Sequence, residues 1–209
     1  MVASIANPEP KYKGTRHNVG SYILDRIVTQ EWQEFKPFES HANLPHGIYS
    51  TSVETESKRA NLFFFKSIYL FMNLQGRPIA ETWSNFSRVQ LTKYSPALVI
   101  IHDELQIPLG KIQIRRQNTS ARGHNGLRSI NESMGMGYTK IGIGIGKPKN
   151  TTHEKGVADY VLSSFTQDEL MCLASNVVPQ VTSILDEMAS GKHVFEVFDP
   201  QTDSKRKKS

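Results

Sequence analysis

Stretches of helical and strand periodicity alternate along the chain. Val19, Tyr22, Ile23 and Ile27 recur at helical spacing behind Asn18, a residue type suited to an N-cap, and predict a helix over about 18–34. Segments 47–54 and 60–66 read as strands across a polar turn, and Ile79, Trp83 and Phe86 mark a helix that Pro78 helps to start. Met72 and Asn73 fall in the turn before it. Pro96 to His102 is a continuously apolar run rich in branched residues, as expected of a central strand buried on both faces, with Asp103 at its carboxyl end. Residues 111–116 alternate like a strand, and 122–133 read as a loop and a helix. In Ile141 to Gly146 isoleucine alternates with glycine, so one strand face is apolar and the other is bare backbone that invites close approach. Helices are predicted over 154–162 and 166–190, the second ending near Gly191. The expected fold is α/β, a single domain with a mixed, mainly parallel β-sheet and helices on both faces, with sites beyond the carboxyl ends of strands. The domain is expected to span residues 1–198, and 199–209 to form a basic, disordered tail.

Composition narrows the class. With 38% hydrophobic and 22% charged residues among 209, the chain can bury a core and is neither membrane-like nor disordered. The richest apolar stretch, Phe63 to Met72, is cut by Lys66 and Ser67, far short of a membrane span, so no membrane association is expected. One cysteine, Cys172, excludes an internal disulfide framework and any site of several thiolates on this chain. The opening residues MVASIANPEP match neither a secretory signal nor a transit peptide.

The net charge of +5 is unevenly spread. Residues 110–147 hold seven basic side chains against one acidic, Glu132, and the end of the chain from Asp203 holds four more cations. A localised positive field of this kind suits a phosphate-rich partner. Lys111, Arg115, Arg116 and Arg122 are the candidate phosphate contacts.

Chemistry is sparse and specific. His17, just before the positive end of the first predicted helix, is a candidate general base held neutral. Asp103 is placed to orient that imidazole. His102-Asp103-Glu104 could suggest a metal site, but no HExxH pattern or second His/Cys cluster accompanies it, and no metal is expected. GxSxG is absent and Cys172 lies in a helical stretch, which leaves water as the attacking group. The phosphate-loop and dinucleotide glycine patterns are also absent, so no nucleotide cofactor is expected. Asn7, Asn73 and Asn125 sit at three turns, where uncharged amides suit a peptide carbonyl, a water or an oxyanion.

Together, Asn7-Pro8, Tyr12, Thr15-Arg16-His17-Asn18-Val19-Gly20, Phe71-Met72-Asn73-Leu74, His102-Asp103-Glu104-Leu105, Pro108-Leu109-Gly110-Lys111 and Gly123-His124-Asn125-Gly126-Leu127 resemble the bacterial-type peptidyl-tRNA hydrolase family in order and separation, across about Ile5 to Phe165. The resemblance implies a monomeric single domain that cleaves the ester between a peptide and the terminal ribose of tRNA, without metal or cofactor. It makes His17 the catalytic histidine and Asp103 its supporting acid. Asn7 matches the asparagine that helps to distinguish peptidyl-tRNA from aminoacyl-tRNA. Tyr12, Phe71, Asn73 and Asn125 match residues lining the tRNA 3′ end and the peptide, with Met72 and His124 beside them. The basic segment then contacts acceptor-stem phosphates without reading sequence. A mitochondrial or cytoplasmic location fits the resemblance.

The chain departs from the family at three places. Residues 117–122 (QNTSAR) contain no glycine where the family has a glycine-rich loop, Gly142 stands where a basic residue is frequent, and SIANPEP replaces a glycine-rich approach to Asn7. Arg122 or Lys140 are the cations available to compensate. The glycine-free loop and the basic tail motivate a second reading, a noncatalytic RNA-binding protein on the same scaffold. A third, a small-molecule esterase, is disfavoured by the lack of a nucleophile signature and by the concentrated positive charge.

Overall fold

The computed structural model describes residues 1–42, 47–90, 95–148 and 154–192. The strands are β1 (Val2–Ser4), β2 (Glu39–Ser40), β3 (Gly47–Thr51), β4 (Phe63–Ser67), β5 (Val99–Glu104), β6 (Ile112–Arg115) and β7 (Thr139–Gly144). They form one sheet in the order β2-β3-β4-β1-β5-β7-β6. Its centre, β4-β1-β5-β7, is parallel, while β2, β3 and β6 add antiparallel margins. The helices are α1 (Val19–Arg26), α2 (Gly76–Gln90), α3 (Asn125–Met134), α4 (Glu154–Leu162), α5 (Gln167–Cys172) and α6 (Val178–Ala189).

Strand alternation sorts the core into two layers. Val2, Phe64, Val99, Ile101, Ile141 and Ile143 face α1 and the helices α4 to α6, which contribute Val19, Ile23, Val161, Val181 and Leu185. Ala3, Phe65 and Ile100 face α2 and α3 through Ile79, Leu127 and Ile130. The expected α/β class and its helices on both faces are thus observed. Among the described residues no helix is long and apolar enough to cross a membrane.

Local differences from the sequence reading have local causes. The first helix starts at Val19 without a side-chain cap from Asn18, whose amide is engaged elsewhere, and runs on through a π-helical turn, Ile27–Glu31. The long helix expected over 166–190 is two helices joined by another π-helical turn, Leu173–Val177, and it stops at Gly191 in a left-handed conformation. The apolar run after Pro96 becomes a strand only at Val99, but it extends through Glu104, so Asp103 lies within β5. The tail expected at 199–209 lies outside the described residues.

The bare face of β7 is filled by this chain itself. A Cβ on Gly142 would lie 3.0 Å from the Glu104 Cβ, and one on Gly144 would lie 2.1 Å from the Pro108 carbonyl oxygen. The close approach anticipated there is that of β5 and the loop that follows it.

Candidate active site

The site forms where β1, β4 and β5 end. Gly20 is what lets it close: an added Cβ would sit 2.6 Å from the Ile101 carbonyl oxygen, so the first turn of α1 lies directly against β5. The 3-10 turn before it, Arg16–Asn18, therefore carries His17 to the strand end. A staple holds this turn from the other side. The buried Arg16 guanidinium donates from Nη2 to both carboxylate oxygens of Glu169 at 2.7 Å and from Nη1 to the Ser164 carbonyl at 2.6 Å. It also lies over the Tyr160 ring. Glu169 is itself fixed by a capping box with Thr166 at the start of α5.

Asp103 Oδ1 accepts two hydrogen bonds, from His17 Nδ1 at 2.9 Å and from His124 Nε2 at 2.8 Å. His124 is the N-cap of α3, and its Nδ1 accepts from the Leu127 backbone N–H at 3.3 Å. Nδ1 of His124 is thus unprotonated and its proton is on Nε2. In the same way the Nδ1–H of His17 is given to the carboxylate, which leaves the Nε2 lone pair of that ring to accept a proton. Burial alone would push the Asp103 carboxyl up, but its interactions with His124 and His17, both of which donate hydrogen bonds to it, outweigh burial and hold the group well below the usual carboxylate range.

A third imidazole backs this pair. His102 Nδ1–H donates to the Asp103 carbonyl at 2.6 Å, and its ring meets that of His124 edge-on at 5.2 Å. Burial pushes its pKa down to about 3, so it is a neutral packing element. The ligand atoms of His17, Asp103 and His124 lie within 4.8 Å of one another. Both nitrogens nevertheless converge on one carboxylate oxygen at hydrogen-bond distance, the pattern of a proton-holding cluster.

Amides line the adjoining edge. Asn7 Oδ1 accepts from the Met72 N–H at 3.1 Å, which orients the amide and leaves its NH2 to donate. Asn73, in the middle of the 3-10 turn Met72–Leu74, and Asn125, at the start of α3, are exposed and follow Met72 and His124 in the chain. Tyr12 and Phe71 meet edge-to-face, with centroids 5.9 Å apart, and Phe71 is about half exposed.

The sequence model of the family described as Peptidyl-tRNA hydrolase matches residues 1–208. A Saccharomyces cerevisiae relative named peptidyl-tRNA hydrolase is 32% identical over 197 residues, covering 91% of this chain and 96% of its own. The chain belongs to the peptidyl-tRNA hydrolase family. A relative of the same name from Frankia casuarinae is 34% identical over 170 residues, covering 81% of this chain and 77% of its own. The crystal structure of peptidyl-tRNA hydrolase from Acinetobacter baumannii matches with a TM-score of 0.72 at 22% identity, covering 91% and 89% of the two chains, and so shares the fold.

Three candidate roles need correction in this member of the peptidyl-tRNA hydrolase family. Arg115 is not a surface phosphate contact: its side chain is 6% exposed, lies 3.3 Å from Glu104 Oε2, and donates from Nη1 to the Ser120 carbonyl. Lys140, considered as a compensating cation, is fully buried, donates to Thr119 Oγ1 at 3.2 Å and packs on the Tyr138 ring. Burial and then the neighbouring Arg115 push its pKa down to about 8. Met72, taken as a substrate neighbour, buries its side chain in the core and reaches the site through its backbone N–H. Lys111, Arg116 and Arg122 are exposed.

The glycine-free loop 117–122 is accounted for by those buried cations. Asn118 and Arg122 take left-handed conformations, with φ of 62° and 47°, that glycine adopts without strain. Arg115 and Lys140 tie down Ser120 and Thr119 from beneath. Sequence reasoning missed the partners by which Arg16, Asn18 and Gln75 hold the segments around the site. All three fall in or beside quoted motifs, but their partners are distant in sequence.

Proposed function

We propose that His17 is the general base of this chain's reaction and Asp103 the acceptor that fixes its tautomer. The reaction is the family's: hydrolysis of the ester joining peptide to tRNA, which releases tRNA for translation. The observation that carries the assignment is the His17–Asp103 contact, which puts the proton of His17 on Nδ1 and the lone pair on Nε2. Neutral His17 takes a proton from water as the water attacks the ester carbonyl. The imidazolium then returns that proton to the departing ribose oxygen. The Asp103 carboxylate stabilises the imidazolium between these steps. Asn73 supplies an amide donor to the carbonyl or oxyanion, Asn125 lines the 3′ end, and Asn7 donates to the peptide side of the ester. Tyr12 and Phe71 offer an aromatic edge to the terminal base or the peptide.

The exposed Lys111, Arg116 and Arg122 meet acceptor-stem phosphates, and the chain acts as a monomer. A noncatalytic RNA-binding role leaves the base and its acceptor without a purpose. The test is cleavage of N-acetyl-aminoacyl-tRNA by purified chain, with unblocked aminoacyl-tRNA and a small ester beside it. Release of tRNA from the blocked substrate is the expected result. Tight RNA binding without cleavage would favour the binding role, and small-ester turnover indifferent to salt and to competing tRNA would favour a small-molecule esterase.

A further inference from the structure

β1 ends at Ser4, and the Ile5 N–H still reaches the Ile101 carbonyl at 3.2 Å. The next two residues, Ala6 and Asn7, are buried. Their backbone groups need partners there. Two side-chain amides supply them. Gln75, fully buried, accepts from the Ala6 N–H at 3.2 Å through Oε1 and donates from Nε2 to the Ala6 carbonyl at 2.5 Å. Asn18 accepts from the Asn7 N–H at 2.8 Å through Oδ1 and donates from Nδ2 to the Asn7 carbonyl at 2.9 Å. Each carboxamide closes a two-bond ring on one residue, as a neighbouring strand would.

We infer that Asn18 and Gln75 form a clamp that positions Asn7 for substrate discrimination, and that both are positioning residues of the reaction. The clamp also ties Asn7 to the rest of the site. Asn18 follows His17 in the same 3-10 turn, so the turn that carries the base also holds the Asn7 backbone. Gln75 Nε2 further contacts the Leu70 carbonyl at 2.8 Å and the Ser67 carbonyl at 3.1 Å, which joins Ala6, the residue before Asn7, to the segment that presents Phe71 and the Met72 N–H. With its own backbone held by Asn18, the preceding residue held by Gln75 and its Oδ1 on the Met72 N–H, the Asn7 amide is fixed in orientation. Small displacements of such a donor carry large penalties in rate and selectivity.

The inference rests on the reading of Asn7 as a substrate contact, so the experiment includes Asn7→Ala beside Asn18→Ala and Gln75→Met. The readout is the ratio of kcat/KM for N-acetyl-aminoacyl-tRNA to that for unblocked aminoacyl-tRNA, measured well below each variant's melting temperature. Loss of folded protein lowers both numbers equally and leaves the ratio unmoved. A fall of about tenfold in the ratio is expected for either clamp variant, approaching that of Asn7→Ala. If Asn7→Ala lowers the ratio while folded Asn18→Ala and Gln75→Met keep it, the clamp is wrong and the role of Asn7 stands. An unchanged ratio in Asn7→Ala removes both. Should Gln75→Met not fold, Asn18→Ala alone decides.

Discussion

Asp103 and Glu104 are adjacent at the end of β5, both buried, and each anchors a polar cluster of opposite character. Asp103 faces two imidazoles that hold its charge by hydrogen bonds, and one of them can gain a proton and become a true counterion. Glu104 lies beside a permanent cation, Arg115, with Lys140 directly across from Arg115 in the β6–β7 register. Its cluster is charge-balanced or cationic before any substrate arrives. Under the proposed mechanism the first cluster takes up a proton during the reaction, whereas the second holds a loop. Burial of a carboxylate is common to both, so the identity of the partner separates chemistry from architecture.

Replacing the two acids sharpens the contrast most. Asp103→Asn is expected to lower kcat about 10²–10⁴-fold in protein that is still folded, because the Nδ1–H of His17 loses its charged acceptor while the side-chain shape is kept. Glu104→Gln should do the reverse. It leaves Arg115 buried without its counter-charge, at a cost of about 3 kcal/mol or more measured by denaturant unfolding, and the remaining folded protein should turn over near the wild-type rate. Equal catalytic losses in both variants would erase the distinction drawn here.

The cations separate next. Arg116→Ala and Arg122→Ala are each expected to reduce the slope of log binding constant against log salt for tRNA by up to about 1, whereas Arg115→Met should leave the slope as it is and lower stability. A salt slope reduced by Arg115→Met would return that residue to the tRNA-binding surface.

The pattern of what was legible follows from the range of the forces involved. Alternating Ile and Gly in β7 and the apolar run of β5 determine burial residue by residue, so their strands could be read directly. The motif residues His17 and Asp103 came from local motifs, yet their meeting depends on Gly20 admitting α1 to the sheet, a contact between residues far apart in the chain. Charge counting placed Arg115 and Lys140 with the surface cations because a strand pattern does not reveal which side chains lie under a loop. Asn18 read as a helix cap for the same reason, since its partner Asn7 is 11 residues away and outside the helix.

A change confined to the pH dependence of stability is expected at the imidazole assigned no part in proton transfer. The pKa of His102 lies near 3 in the folded chain against about 6.5 when unfolded. Between those values the unfolded chain binds a proton that the folded chain does not, so this residue makes stability rise with pH and fall as pH drops from 6.5 toward 3. His102→Asn should flatten the dependence of unfolding free energy on pH in that window, and an unaltered slope would show that His102 is not buried neutral.

The most direct measurement is single-turnover cleavage of N-acetyl-aminoacyl-tRNA by His17→Ala at saturating enzyme, with tRNA affinity measured on the same preparation. The predicted result is a cleavage rate constant lower by about 10²–10⁴-fold with affinity within a few-fold of wild type. A folded variant that cleaves at the wild-type rate would contradict the account at its centre.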